Sequence, residues 1–404
     1  MRYLEHALAH GIARHRAGHL HEARSVYESL LSSSMDPNIC AVALANLSAL
    51  HESLGHWVDA RMASTEALNL DARNGVAILS AIRCDRHAGR PQKGLDRLSA
   101  WPTYALPPDL LHEMAMCYDA LGENTKAYHT FREANRRSSF DDLDVDRTLV
   151  TRYIERMFHL HRVAEPEPWS EAPSMQELDP VFIVGFNESG GSDLANVLNT
   201  HDSFSALRGA PALDAARKSL NGSDMSPLGL LTSDDIITAR KHYFEVAEHQ
   251  TKRGTRVVDS LPLNVLSLPL IYRLFPNSCI IRMIRHPIET VFQAFIRTHK
   301  VNSITCHLDS MSRCAQLFLA TTTIGEHYRD VLDIPMFDIR YEEFREAPDQ
   351  YAQAITESLG EDWQTENTLP PASPIDQWVR YKSILAPWTK DLVQMAETQG
   401  YPAK

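Results

Sequence analysis

Seven residues, Phe186-Asn187-Glu188-Ser189-Gly190-Gly191-Ser192, stand between an apolar run, Pro180-Val181-Phe182-Ile183-Val184-Gly185, and a helical period that opens at Asp193 with Leu194, Val197 and Leu198. The run is rich in β-branched residues and uncharged, which predicts a strand buried on both faces. Strand, small-residue loop, helix is the layout in which backbone N–H groups and a helix N-terminus cradle a phosphate. Counted from Gly185 the spacing is G-x-x-x-x-G-G-S, the P-loop spacing with Gly191 where the phosphate-binding Lys belongs. Without that Lys, and with no evident magnesium ligand set, a nucleoside triphosphatase or kinase is a distant reading. A second candidate is Arg285, in Arg285-His286-Pro287 after the apolar run Cys279–Ile284. A guanidinium at a strand end is suited to holding a phosphate bidentately; the alternative is a salt bridge to Glu289, one helical turn on. The imidazole of His286 is a weaker candidate for accepting a proton.

Three further runs support the first: Arg256-Val257-Val258-Asp259, Cys279–Ile284, and Pro335-Met336-Phe337-Asp338-Ile339-Arg340. Strands alternating with helical patterns predict a parallel α/β sheet whose ligand lies beyond the C-terminal strand ends, where Ser189, Asp259, Arg285 and Tyr341 fall. Upstream, an amphipathic helix over Leu149–Leu160 reads as a connector, and AEPEPWSEAPSMQELDP, with four prolines and no period, as a linker. The expected organisation is helical repeats over 1–137, connector and linker over 138–178, and an α/β domain over 179–404.

The first third is periodic. Gly recurs at 18, 55, 89 and 122, each followed five residues later by a small residue (Ala23, Ala60, Gly94, Ala127), then by Tyr27, Ser64, Leu98 and Phe131, then by Leu30, Ala67, Trp101 and Ala134. Gly in a tight turn, a small residue where helices meet closely and a larger one filling the groove describe a helix pair. At about 34 residues per unit the segment resembles tetratricopeptide repeats, with a weaker third unit. Arrays of that kind usually present a concave face to a protein or peptide; packing against the rest of the chain is the alternative. Eight histidines lie before residue 90, and those at 6 and 10 and at 15 and 19 form i,i+4 pairs. No carboxylate motif accompanies those pairs, so no metal is expected.

Forty Lys+Arg against 52 Asp+Glu give a net charge of −12, which opposes sequence-independent binding to nucleic acid or anionic membrane. The hydrophobic fraction of 44% and charged fraction of 23% are those of a folded globular protein. Six cysteines without a C-x-x-C pair suggest buried thiols rather than disulfides or zinc. The N-terminus lacks a signal-peptide core, and no apolar run approaches the roughly 20 residues that span a bilayer, so a cytoplasmic location is expected.

The run PVFIVG-loop-helix, then VVDSLPLNVLSLPLIYRLFPNSCIIRMIRHPIETVFQAF, then DIRYEEF and a terminal Trp388 segment resembles the sulfotransferases that use 3′-phosphoadenosine 5′-phosphosulfate (PAPS). More narrowly, the chain is similar to bacterial proteins joining tetratricopeptide repeats to such a domain, a group related to tyrosylprotein sulfotransferases. The implied fold class is α plus α/β: a repeat array followed by a P-loop-like parallel-sheet domain. The resemblance implies a donor site at Glu188, Ser189, Gly190, Gly191 and Ser192 for the 5′-phosphosulfate, and at Arg285 and Gln293 for the 3′-phosphate.

The site departs from the family pattern. The loop cation is Glu188; the Asp-Lys pair after the second strand is Asp259-Ser260; the Glu that serves relatives as general base is Ala210, which accepts no proton. The Ser eight residues after Arg285 is Gln293, and the Arg before Trp388 is Pro387, while Tyr341-Glu342-Glu343 keeps the family's Tyr-Glu segment. At an effective dielectric of about 20, unit charges 4 Å apart interact by roughly 4 kcal/mol, so a carboxylate in place of a cation opposes an incoming phosphosulfate. Two functions are therefore expected to compete. In the favoured one, the protein is a non-catalytic or weakly active binding module acting through its repeats. In the other, it transfers a sulfuryl group from PAPS to an acceptor hydroxyl.

Overall fold

The computed structural model describes residues 2–16, 19–99, 101–138, 151–152, 154–155, 173, 177–220, 228–298, 305–363 and 374–402, and divides into two compact units, Met1–Leu143 and Asp144–Lys404. The helix expected over Leu149–Leu160 and the proline-rich linker fall largely outside the described residues. No helix among the described residues is long and apolar enough to cross a membrane.

The first unit is helical: α1 (Arg2–Arg16), α2 (Leu20–Ser33), α3 (Pro37–Ser53), α4 (Trp57–Leu70), α5 (Gly75–His87), α6 (Pro91–Leu98), α7 (Pro108–Ala120) and α8 (Asn124–Arg137). Consecutive helices pack as four pairs. Every pair turns on the same backbone hydrogen bond, donated across five residues: His19 N to Arg14 O, His56 N to His51 O, Arg90 N to Asp85 O and Glu123 N to Tyr118 O, at 2.8–3.0 Å. Gly55, Gly89 and Gly122 take φ of 74°, 71° and 76° in these turns, the left-handed region that a side chain disfavours. Ala23, Ala60 and Ala127 are fully buried where the helices meet. At the corresponding Gly94 even a methyl group would stand 3.0 Å from Cys117 Sγ, which accounts for the shorter residue in this unit. Tyr27, Leu98 and Phe131 fill the grooves beside them.

The second unit is built on a five-stranded sheet of β1 (Val181–Val184), β2 (Phe204–Leu207), β3 (Arg256–Asp259), β4 (Cys279–Ile284) and β5 (Met336–Arg340), in the order β2-β3-β1-β4-β5. All four pairings are parallel. The α/β architecture with a helical N-terminal region is the one expected. Four strands coincide with the apolar runs; β2 is an addition, a short Phe-Ser-Ala-Leu segment whose four residues are all buried. Arg282 pins the β4–β5 register, donating from Nε to Asp338 Oδ1 at 2.9 Å. The central β1 is flanked by β3 and β4, so the loops leaving those three strands meet at one end of the sheet, where the topology puts ligands in folds of this kind.

Candidate functional site

The loop after β1 runs into a helix at Gly191–Leu198, capped by Gly190 in the left-handed conformation at φ 101°. Gly190 O accepts from Asp193 N and Leu194 N, and Ser189 N donates to Phe186 O at 3.2 Å. One loop amide is thus already used. The Ser189 hydroxyl folds back over Gly185, 2.6 Å from where a Cβ of that glycine would stand, and Ser189 is buried, while Ser192 is exposed. The loop borders an open depression of about 310 Å³ lined by Ile183 to Asp193, Ser260 and Pro262. Among the described residues, the ionisable ones that line it are Glu188 and Asp193, both acidic. Asn187 is 9% exposed, and its Oδ1 has no hydrogen-bond partner.

Glu188 sits at φ 64°, and its carboxylate meets Arg297 Nε at 3.5 Å. Both side chains are partly exposed, and a pair of that kind contributes about 1 kcal/mol at most. Sequence reasoning missed Arg297: it lies twelve residues after Arg285, just past the helix Pro287–Ile296.

The 3′-phosphate candidates are occupied by the chain itself. Arg285 is 2% exposed, and its guanidinium donates to Glu188 O at 2.8 Å, to Glu289 Oε1 at 3.2 Å and to the Pro374 carbonyl, over the Tyr341 ring at 4.8 Å. Gln293 Nε2 donates to Glu289 Oε1 at 2.7 Å and to Gln377 Oε1 at 2.8 Å. Trp378 N donates to Glu289 Oε2 at 2.8 Å. Burial pushes the Glu289 pKa up against the opposing pull of Arg285. Arg285, Glu289 and Gln293, spaced by four, therefore form one buried ladder on which Pro374–Trp378 is fastened. Arg285 makes the salt bridge to Glu289 that its spacing offers. The spacing signalled the Arg285–Glu289 pair; the partners from 374–378 had no local signal.

Tyr341 is fully buried; its hydroxyl donates to Asp193 Oδ2 at 2.6 Å and its ring covers Gly190. Glu342 accepts from His286 N at 3.0 Å and from the Tyr401 hydroxyl at 2.8 Å. His286 stacks on Trp378 at 5.0 Å and meets Tyr401 edge-on at 5.2 Å, a packing position away from the loop depression. Ala210 is buried beside the Ala212–Ser219 helix and does not border the depression either.

Asp259 closes β3 and accepts from Leu261 N at 3.1 Å, Asn264 Nδ2 at 3.0 Å and the Tyr243 hydroxyl at 3.1 Å. Burial outweighs these donors and raises its pKa from 3.8 to about 6. A carboxyl whose folded pKa exceeds its unfolded one holds its proton more tightly in the native state, so stability falls as pH rises between those two values. The fall between about pH 4 and 6 is expected to be about 3 kcal/mol. Urea unfolding from pH 4 to 7 is expected to show this slope in the wild type and to lose it in Asp259→Asn; an equal slope in both would exclude Asp259 as its source.

These residues do not fit the donor nucleotide. The loop depression offers carboxylates to a phosphosulfate, and the guanidinium and amide that would grip a 3′-phosphate are bonded to Glu289, Gln377 and Pro374.

Residues 180–365 match the family model described as "Sulfotransferase family". Among solved structures, the chain is similar to a sulfotransferase from Alicyclobacillus acidocaldarius (16% identity, 54% of this chain and 96% of that one, TM-score 0.35). It is also similar to the sulfotransferase domain of the Synechococcus PCC 7002 olefin synthase (18%, 58% and 99%, 0.34) and to a sulfotransferase from Mycobacterium avium (13%, 68% and 82%, 0.32). No curated protein matches the chain. Behind its helical N-terminal region in sequence, the chain carries a sulfotransferase-family domain.

Proposed function

We propose that the second unit keeps the sulfotransferase fold without the family's sulfuryl-transfer chemistry, and that the protein works as a binding module through its tetratricopeptide-like first unit. The observation that carries this reading is the use of Arg285 and Gln293 by the chain itself, as the anchor of Pro374–Trp378. Each missing charge-assisted contact to the nucleotide removes roughly 1.5–3 kcal/mol of binding. The loop's Glu188 and the absent acceptor carboxylate at Ala210 support the same reading.

The first unit offers the working surface. Met35, Val58, Met62 and Tyr104 are each more than half exposed, and an open groove of about 410 Å³ is lined in part by Trp101, Leu106, Met114 and Tyr118. A contiguous apolar surface is what marks a docking site, and the groove is where apolar side chains of this unit come together. The partner class is a protein or peptide, with neither nucleic acid nor membrane in that role.

A second reading, transfer from PAPS to a hydroxyl of a protein, peptide or glycan, draws on Arg297, which brings a cation to the rim of the loop. Calorimetric titration of the full chain with 3′-phosphoadenosine 5′-phosphate separates the two without requiring an acceptor. The expected dissociation constant is weaker than about 100 μM, and a submicromolar value would overturn the binding-module reading in favour of the transferase. In a companion pull-down, residues 1–137 are expected to retain the partner that full-length protein captures; retention by 165–404 alone would move the working surface to the α/β domain.

A further inference from the structure

The four helix hairpins of the first unit close on the same three positions. These are a residue in the last turns of the first helix, the residue five further on that opens the second, and the third residue beyond that. In the first hairpin they are Arg14, His19 and Glu22, with Arg14 Nε 3.1 Å and His19 Nδ1 3.9 Å from the Glu22 carboxylate. In the third they are Asp85, Arg90 and Lys93, with Asp85 Oδ1 3.4 Å from Arg90 and 3.9 Å from Lys93. In the fourth they are Tyr118, Glu123 and Lys126; Lys126 pairs with Glu123, and its ammonium lies 5.5 Å from the centre of the Tyr118 ring. Each of these three hairpins thus brings a carboxylate and a permanent cation together at its turn. The second hairpin has His51, His56 and Asp59 at those positions, a carboxylate with two imidazoles.

The three side chains converge, each offering a ligand atom within 4.8 Å of the other two. The backbone bond from His56 N to His51 O, 2.8 Å, already fixes the two histidines relative to each other. His51 is 7% exposed, and its Nδ1 has no hydrogen-bond partner. A buried polar atom without a partner is costly, and the ring that carries it stands beside a carboxylate and a second imidazole. Burial pushes the His51 pKa down, toward the neutral ring that ligates metals, while Asp59 and Glu28 pull it up and Arg24 and His56 push it down. Arg24 is itself bonded to Glu28 at 2.8 Å, so the neighbouring cation is already neutralised.

Two imidazoles and one carboxylate suit a borderline divalent ion, and zinc holds such ligands at about 2.0–2.2 Å with a fourth position for water. Donors around such an ion stand roughly 3.3 Å apart, so the cluster must tighten. His56 and Asp59 are exposed and free to rotate inward, while the buried His51 stays in place. We propose that His51, His56 and Asp59 form a zinc site that ties α3 to α4, supplying from solution the cation that the other three hairpins carry in their own sequence. The proposal is independent of the reading given to the α/β domain.

The test uses the full chain, stripped with a chelator and titrated with Zn²⁺ by calorimetry and by thermal unfolding. Histidines at 6, 10, 15, 19 and 21 also offer ligands, so the readout is the difference between variants. Wild type is expected to bind one zinc with a dissociation constant of about 10 μM or tighter and to unfold at a higher temperature with zinc. The double variant H56A/D59A, altered only at exposed positions, is expected to lose at least tenfold in affinity together with the thermal shift, whereas H6A/H10A keeps both. Co²⁺ is expected to give wild type, and not H56A/D59A, the intense visible bands of a four- or five-coordinate ion. Binding weaker than about 100 μM in wild type, or equal affinity and thermal shift in wild type and H56A/D59A, would overturn the proposal.

Discussion

Replacing Glu289 by Ala is expected to cost the second unit about 3–5 kcal/mol of stability, because it leaves a guanidinium buried without its counter-charge. Glu289 is fully buried and accepts three hydrogen bonds: from Arg285 at 3.2 Å, from Gln293 at 2.7 Å and from Trp378 N at 2.8 Å. Trp378 N loses its acceptor, while Arg285 and Gln293 keep only neutral oxygens, those of Glu188, Pro374 and Gln377, as acceptors. Glu289→Gln keeps the shape and an acceptor oxygen but drops the charge, so it should lose less than the alanine variant. The measurement is urea unfolding followed by circular dichroism and by the fluorescence of the six tryptophans, of which Trp378 sits at the end of this network. A loss below about 1 kcal/mol in Glu289→Ala would mean that Arg285 does not depend on this counter-charge, and the buried ladder would no longer account for its unavailability to a nucleotide. A large loss would give Arg285 and Glu289 a structural role: together they hold the Pro374–Trp378 segment in place.

That ladder also marks how far the amino-acid sequence could be read. Runs such as Val181–Val184 and Cys279–Ile284 are legible as strands because parallel strands buried on both faces must be apolar throughout. The recurring Gly, small residue and large residue of the first unit are legible because every helix pair solves the same packing problem, and Ala60 and Ala127 are fully buried where that spacing requires small side chains. Strand β2 is not legible: Phe204-Ser205-Ala206-Leu207 has neither length nor β-branching, and it becomes a strand by pairing with β3. At the candidate site, Glu188, Ser260 and Ala210 are legible residue by residue as differences from the pattern the resemblance implies. The partners of Gln293 and Glu289 are not legible, because Gln377 and Trp378 reach them across more than 80 residues of chain, and nothing in local spacing encodes such a contact. Arg297 was missed for a related reason. It follows the end of a helix, and only the path of the chain brings it to Glu188.

Gly190→Ala is expected to be the second severe substitution, and its cost tests whether the loop is held in its observed shape by packing. The residue adopts φ 101°, where an L side chain is strained by about 1–2 kcal/mol. A Cβ there would also stand 2.1 Å from Tyr341 Cδ2 and 2.5 Å from Cε2. Tyr341 has no easy retreat: its ring lies under the Arg285 guanidinium and its hydroxyl donates to Asp193. Overpacking of this kind adds about 1–3 kcal/mol, giving roughly 2–5 kcal/mol in all. Backbone strain and ring overlap separate in a double-mutant cycle with Tyr341→Ala, which costs about 3–5 kcal/mol alone by opening a cavity. The added methyl then has room, so the double variant should lose less than the sum of the singles, leaving Gly190→Ala with only its backbone term. Strict additivity would mean that the ring does not bear on Gly190. In that case Tyr341 would have to be reconsidered as a side chain free to face a ligand rather than one that fixes the loop to the end of β5.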